Sequence, residues 1–195
     1  MKVVGFAGYS RSGKTTLIEQ LVALLRARGL RVSVLKHAHH HFDIDHPGKD
    51  SWRHRQAGAY EVLVASSQRL ALQREYETPH EPDVHALLRE LDPAVDWVLV
   101  EGFREAQLPK IEVWRQIDDE RGARPLRYPH DAWVRAVATD APQLLQPAPR
   151  QPVLDLNRPA QIVDWLLAHP AWFGVGSPAA TQEETCHEPS RPPIA

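Results

Sequence analysis

The chain is nearly devoid of cysteine: Cys186 stands alone among 195 residues. That excludes an intramolecular disulfide and a zinc site built on several thiolates, and it fits a reducing compartment. A large net charge is missing too. Lys and Arg number 23 against 25 Asp and Glu, leaving −2, so nothing favours non-specific binding of nucleic acid. No apolar run approaches the ~18 residues of a membrane-spanning helix. No basic leader with an apolar stretch precedes the first strand, and no internal repeat is visible. The expectation is a soluble, cytoplasmic protein that engages neither membrane nor nucleic acid. Its length suits one domain with a sizeable core.

What is present is a phosphate-binding loop. Gly8-Tyr9-Ser10-Arg11-Ser12-Gly13-Lys14-Thr15-Thr16 has two glycines at the spacing of a P-loop, followed by Lys and Thr. An apolar run, Val3 to Ala7, precedes it as a strand. A stretch with helical periodicity, Leu17 to Leu25, follows it. Glycines let consecutive N–H groups point inward at phosphate, and the helix N-terminus adds partial positive charge. Lys14 is expected to reach the β- and γ-phosphates and Thr15 to offer its hydroxyl to Mg²⁺. Ser10, Ser12, Gly13 and Thr16 complete the expected nucleotide-binding loop with Gly8.

The rest of the pattern alternates strands and helices. Strands are expected at 2–7, 32–35, 60–66, 69–72, 96–102, 110–114, 133–140 and 152–156. Helices are expected at about 13–28, 51–57, 83–91 and 160–169. The fold class is α/β: a P-loop NTPase, a three-layer sandwich with a mostly parallel sheet. The run 60–72 reads as an antiparallel hairpin added to that sheet. Residues 1–173 form the nucleotide-binding domain. Residues 174–195, rich in Gly, Ser, Pro, Thr and Glu, are expected to be a disordered tail.

Three further stretches carry chemistry. Glu101, ending the apolar strand before Gly102, stands where P-loop proteins keep the acid that binds Mg²⁺ directly or through water. The segment Lys36 to Asp50 leaves the strand edge that also bears the P-loop. Its Lys36 is a candidate phosphate contact, and Asp43 and Asp45 are candidate Mg²⁺ ligands. Its histidines, His37, His39, His40, His41 and His46, also suit a transition metal. Asp140, after the late strand, is a candidate guanine reader, because one carboxylate accepts from both N1–H and the exocyclic amine. These residues leave three readings open. They are a GTP-binding protein of weak intrinsic turnover, a small-metabolite kinase using Asp118–Arg127 (with Arg121, Arg124 and Arg127) as a lid, and a metal-inserting GTPase using the histidines. The catalytic residues are unknown.

Several segments together resemble the molybdopterin-guanine dinucleotide biosynthesis adaptor proteins (MobB). They are the P-loop Gly8–Thr16; Lys36-His37 with His40; the run from Asp45 through Pro47-Gly48-Lys49-Asp50-Ser51; Ala57-Gly58-Ala59; Val98-Leu99-Val100-Glu101-Gly102-Phe103; and Leu156-Asn157. The resemblance spans roughly residues 2 to 169. It implies a GTP- and Mg²⁺-binding homodimer that hydrolyses GTP slowly if at all. It also implies work alongside the guanylyltransferase that joins GMP to molybdopterin, in molybdenum cofactor biosynthesis. The family's phosphate residues fall on Gly13, Lys14, Thr15 and Thr16.

Overall fold

A βαβ unit begins the chain, with a first strand buried along nearly its whole length, a helix with one apolar face and a second strand that is half-exposed at the sheet edge. The structure is a computed structural model that describes residues 1–38, 42–116 and 124–174. β1 is Lys2–Ala7, α1 Lys14–Ala27 and β2 Val32–Lys36. Leu17, Ile18, Leu21 and Leu25 are buried along one stripe of α1, the spacing of an amphipathic helix. Gly29, with φ 81°, ends α1 in the left-handed conformation that glycine adopts without strain.

α2 (Asp50–Gln56), β3 (Glu61–Ala65), β4 (Leu70–Arg74) and α3 (Val84–Arg89) follow. β5 (Trp97–Glu101), β6 (Lys110–Trp114), β7 (Val134–Thr139), β8 (Val153–Asp155) and α4 (Pro159–Ala168) complete the principal elements. By its contacts the chain divides into two units, Met1–Val34 with the chain from Ala94 onward, and Leu35–Pro93.

In the first unit a six-stranded sheet runs in the order β2-β5-β1-β6-β7-β8. β1 pairs in parallel with β5 and β6, β6 with β7, and β7 with β8. α1, α4 and one sheet face close on a core that includes Val4, Phe6, Leu99, Ile111, Ala136, Ala138, Ile162 and Leu166. β7 alternates: Val137 turns instead to a second cluster with Tyr128 and Leu145, as the two-residue strand period requires. A short 3₁₀ turn, Pro170–Phe173, plugs the core with fully buried Phe173. Its ring lies 5.6 Å from that of Trp97 and 5.9 Å from that of Trp165.

The hairpin differs from expectation in one respect. β3 and β4 pair with each other over five positions, Glu61↔Arg74 to Ala65↔Leu70, and form a two-stranded sheet of their own. The inner strands of the parallel sheet are buried on both faces, as in β5 and β6, whereas Leu63, Val64, Leu70 and Leu72 are largely exposed. An antiparallel pair can leave a face open to water in this way, whereas the strands inside a parallel sheet are covered on both faces. His39, His40, His41, Arg121, Cys186 and the tail from residue 175 lie outside the described residues. Among the described residues no helix is long and apolar enough to cross a membrane.

Candidate functional site

Parallel pairing brings the ends of the strands to one edge, and the register says which residues meet there. Phe6 lies beside Glu101, Ala7 beside Glu112, Trp114 beside Thr139, and Thr139 beside Asp155. Gly8, Gly102, Arg115, Asp140 and Leu156 are therefore the first residues past these strands or close to it. This is the edge of an open α/β sheet where ligands bind.

Gly8 leaves β1 at a close approach. A Cβ built there would lie 2.3 Å from the Val113 carbonyl oxygen and 2.9 Å from Ser12 Oγ. Gly13, at the N-terminus of α1, has φ 91°, in the left-handed region that favours glycine. Between them the loop folds back on itself. Lys14 Nζ donates to the Gly8 carbonyl at 2.9 Å and the Tyr9 carbonyl at 2.7 Å. Thr15 Oγ1 donates to Glu101 Oε1 at 2.7 Å. The helix hydroxyl and the strand-end acid thus meet across 86 residues of sequence. Ser12 Oγ is buried and has no hydrogen-bond partner among the described residues. A buried hydroxyl left unpaired costs about 1–3 kcal/mol, so its place inside a phosphate loop fits a site whose remaining acceptor is a ligand oxygen. Ser10, Arg11 and Thr16 are exposed.

Two side chains that the sequence reading did not single out at this edge also belong here. Arg124, expected as part of a lid, donates from Nη1 to the Ser10 carbonyl. Its guanidinium lies 5.5 Å from the centre of the Tyr9 ring, a cation–π arrangement. Arg115 Nε lies 3.0 Å from Asp140 Oδ2. Its position one residue past β6, facing Asp140 one residue past β7, was the available signal. Thr139 Oγ1, fully buried, accepts from the Ala141 amide at 3.1 Å and fixes the turn that presents Asp140.

In the second unit Asp43 and Asp45 surround one guanidinium. Arg55 donates from Nη2 to Asp43 at 2.8 Å, from Nε to Asp45 at 3.3 Å and from Nη1 to Glu75 at 2.8 Å. Asp45 also accepts from the Ser51 hydroxyl and the His46 amide, both at 2.9 Å. The Arg55 hydrogen bond holds the Asp43 carboxyl below its ordinary 3.8. Burial pushes Asp45 up, but Ser51, the His46 amide and Arg55 together leave it lowered. Lys36 ends β2 and is exposed, and His37 Nε2 lies 3.3 Å from Glu81 Oε1. Among the described residues no three His, Cys, Asp or Glu side chains converge as a metal-binding group.

Arg55→Met is therefore expected to lower the thermal midpoint at pH 7. Carboxylates with lowered folded values contribute stability above the unfolded value of 3.8, which is lost as pH falls through the lower folded values. The gap between wild type and variant should accordingly narrow below about pH 4 in a calorimetric pH series.

The family model for molybdopterin guanine dinucleotide synthesis protein B matches residues 3–140. The molybdopterin-guanine dinucleotide biosynthesis adapter protein of Haemophilus influenzae is 42% identical over 166 residues, 84% of this chain and 86% of that protein. Its Escherichia coli counterpart is 40% identical, over 85% of this chain and 91% of that one. The crystal structure of a MobB protein homologue from Bacillus stearothermophilus superposes with a TM-score of 0.62 at 29% identity, covering 88% of this chain and 99% of that one. Neither a small-metabolite kinase nor a metal-inserting GTPase is favoured by these relatives.

Proposed function

This chain belongs to the MobB family of molybdopterin-guanine dinucleotide biosynthesis adapter proteins, and we infer from that membership and its P-loop that it carries out the adapter role with GTP and Mg²⁺ bound. The observation that carries the nucleotide reading is the loop itself. Gly13 is left-handed at the helix start, Lys14 is turned onto the loop carbonyls, and Thr15 lies against Glu101. Gly8, Ser10, Ser12, Gly13, Lys14, Thr15 and Thr16 would hold the phosphates. Thr15 and Glu101 would hold the cation, which keeps several of its own waters in such sites. Bound Mg²⁺ supplies charge that neutralises the phosphate oxygens. Lys36, Asp43 and Asp45 are assigned to phosphate and cation on sequence grounds alone. Asp43 and Asp45 would exchange contacts with Arg55 and Ser51 for that role.

Asp140 would read guanine once Arg115 gives up its oxygen. Asp140→Asn should erode the preference for GTP over ITP and XTP, by about tenfold if one charged hydrogen bond is lost. Competition binding measures this, and an unchanged base preference would place guanine elsewhere.

The protein would work in the cytoplasm as a homodimer beside the guanylyltransferase that joins GMP to molybdopterin. Hydrolysis would be slow, since an adapter uses the bound nucleotide rather than rapid turnover. The deciding experiment titrates GTP and ATP with and without Mg²⁺, then tests capture of the guanylyltransferase. Mg²⁺-dependent binding that favours GTP, with capture of the transferase, is the expected result. Equal affinity for both nucleotides would overturn the guanine assignment.

A further inference from the structure

β6 carries two charged residues where a strand buried on both faces should carry none. Lys110 is 2% exposed and Glu112 1%. Room for the lysine comes from the central strand: a Cβ at Gly5 would lie 3.1 Å from Lys110 Cβ, and Gly5 is its register partner. The side chain is directed at the loop that follows Glu101. Nζ donates to the Arg104 carbonyl at 2.9 Å, the Ala106 carbonyl at 2.7 Å and Asp131 Oδ2 at 3.1 Å. An ammonium has three N–H donors, and these three contacts account for them.

A second cation holds the same loop. Arg127 Nη2 donates to the Arg104 carbonyl at 3.1 Å and to Glu105 Oε2 at 2.8 Å, and Nη1 donates to Glu105 Oε1 at 3.0 Å. Arg127 is itself fixed to β6, because the Glu112 carboxylate accepts from the Arg127 and Tyr128 amides, both at 2.8 Å. Burial pushes Lys110 down, an effect that the Asp131 hydrogen bond opposes. A buried charge is retained at such a position only if its hydrogen bonds are complete.

What this arrangement restrains is a strained turn. Gly102 has φ 93° and Phe103 φ 47°. Two successive left-handed residues, one of them an aromatic, persist only where the surroundings over-determine them. They directly follow Glu101, the residue that meets Thr15.

We propose that Lys110 is a positioning residue that clamps the loop 102–109, so that Glu101 and the Gly102 turn are presented to the γ-phosphate side of the bound nucleotide. This rests on the GTP reading above. Lys110 acts through the loop backbone and does not itself touch nucleotide. A clamp on the γ-phosphate side separates GTP from GDP, whereas a general loss of packing weakens both alike.

The test is Lys110→Met in the full chain, read two ways. Hydrogen exchange in the peptide 102–109 should accelerate by about tenfold or more while α1 and β7 keep their protection. Affinity for Mg²⁺·GTP should fall about tenfold while that for Mg²⁺·GDP changes less than about twofold. Should Lys110→Met fail to fold, Asp131→Asn removes the charged partner of Nζ while keeping its size, and the same two readouts should move in the same direction by less. Unchanged exchange in 102–109, or equal losses for GTP and GDP, overturns the proposal. Failure of the wild type to bind GTP overturns the nucleotide reading instead. The exchange measurement needs no nucleotide and still decides whether the clamp exists.

Discussion

Lys14→Ala is expected to lower GTP affinity by at least about a hundredfold, or about 2.7 kcal/mol, with little change in thermal midpoint. Lys14 Nζ now rests on the carbonyls of Gly8 and Tyr9 at 2.9 and 2.7 Å. Those are neutral acceptors at the mouth of the loop. Triphosphate oxygens are charged acceptors, and charge-assisted bonds are roughly twice as strong as neutral ones. The ammonium would therefore transfer to the ligand at a net gain, and alanine removes that gain. Stability should hold because Lys14 opens α1 at a half-buried position, where alanine is a better helix former. Lys14→Arg should not rescue, because a planar fork cannot occupy the place of a point charge inside the loop. Isothermal titration with GTP and a thermal melt check both halves. Unchanged GTP binding would contradict the assignment of the phosphates to this loop.

The contrast between Lys14 and Lys110 shows what the sequence could and could not disclose. Lys14 was legible because its neighbours are fixed by chemistry: two glycines, a following threonine, an apolar strand before and an amphipathic helix after. Glu101 was legible for the same reason, at the end of an apolar strand and before a glycine. Its contact with Thr15 required only that β1 and β5 be parallel neighbours. Lys110 and Glu112 read instead as the polar face of an alternating strand. Alternation marks a strand with one wet face, but both faces of β6 are covered. The partners that make this tolerable, Asp131 and the Arg127 and Tyr128 amides, come from a segment about 15 to 21 residues further on. No local pattern encodes that pairing. The hairpin shows the same limit: its turn and strands were readable, but their pairing as a separate two-stranded sheet was not.

Asp43 and Asp45 show a different limit. Carboxylates spaced two apart in a His-rich stretch suit a cation, and the cation they meet in the fold is the Arg55 guanidinium. Charge type was readable from the sequence, but the partner was not, because Arg55 lies in the last turn of α2 and meets the carboxylates only through the way that helix is set after Lys49.

Gly8→Ala is expected to destabilise the fold by about 3 kcal/mol or more, a fall of about 6–12 °C in thermal midpoint for a chain of this size. The cause is steric. A methyl group at this position would stand 2.3 Å from the Val113 carbonyl oxygen and 2.9 Å from Ser12 Oγ. The first is backbone of a central strand paired on both sides, so it cannot turn aside as a flexible side chain would. Gly13→Ala provides the control. Its methyl group would meet nothing within 4 Å, so its penalty comes from the left-handed φ of 91°, about 1–2 kcal/mol. Gly8→Ala should also weaken GTP binding more than its stability loss alone explains, because moving residue 8 away from Val113 displaces its own carbonyl, one of the two that accept from Lys14 Nζ. Denaturant melts of both variants, with GTP titration under conditions where each remains folded, measure the two effects separately. A Gly8 variant no less stable than the Gly13 variant would mean that β1 and β6 can part at this point, and that the close approach is not what sets the loop.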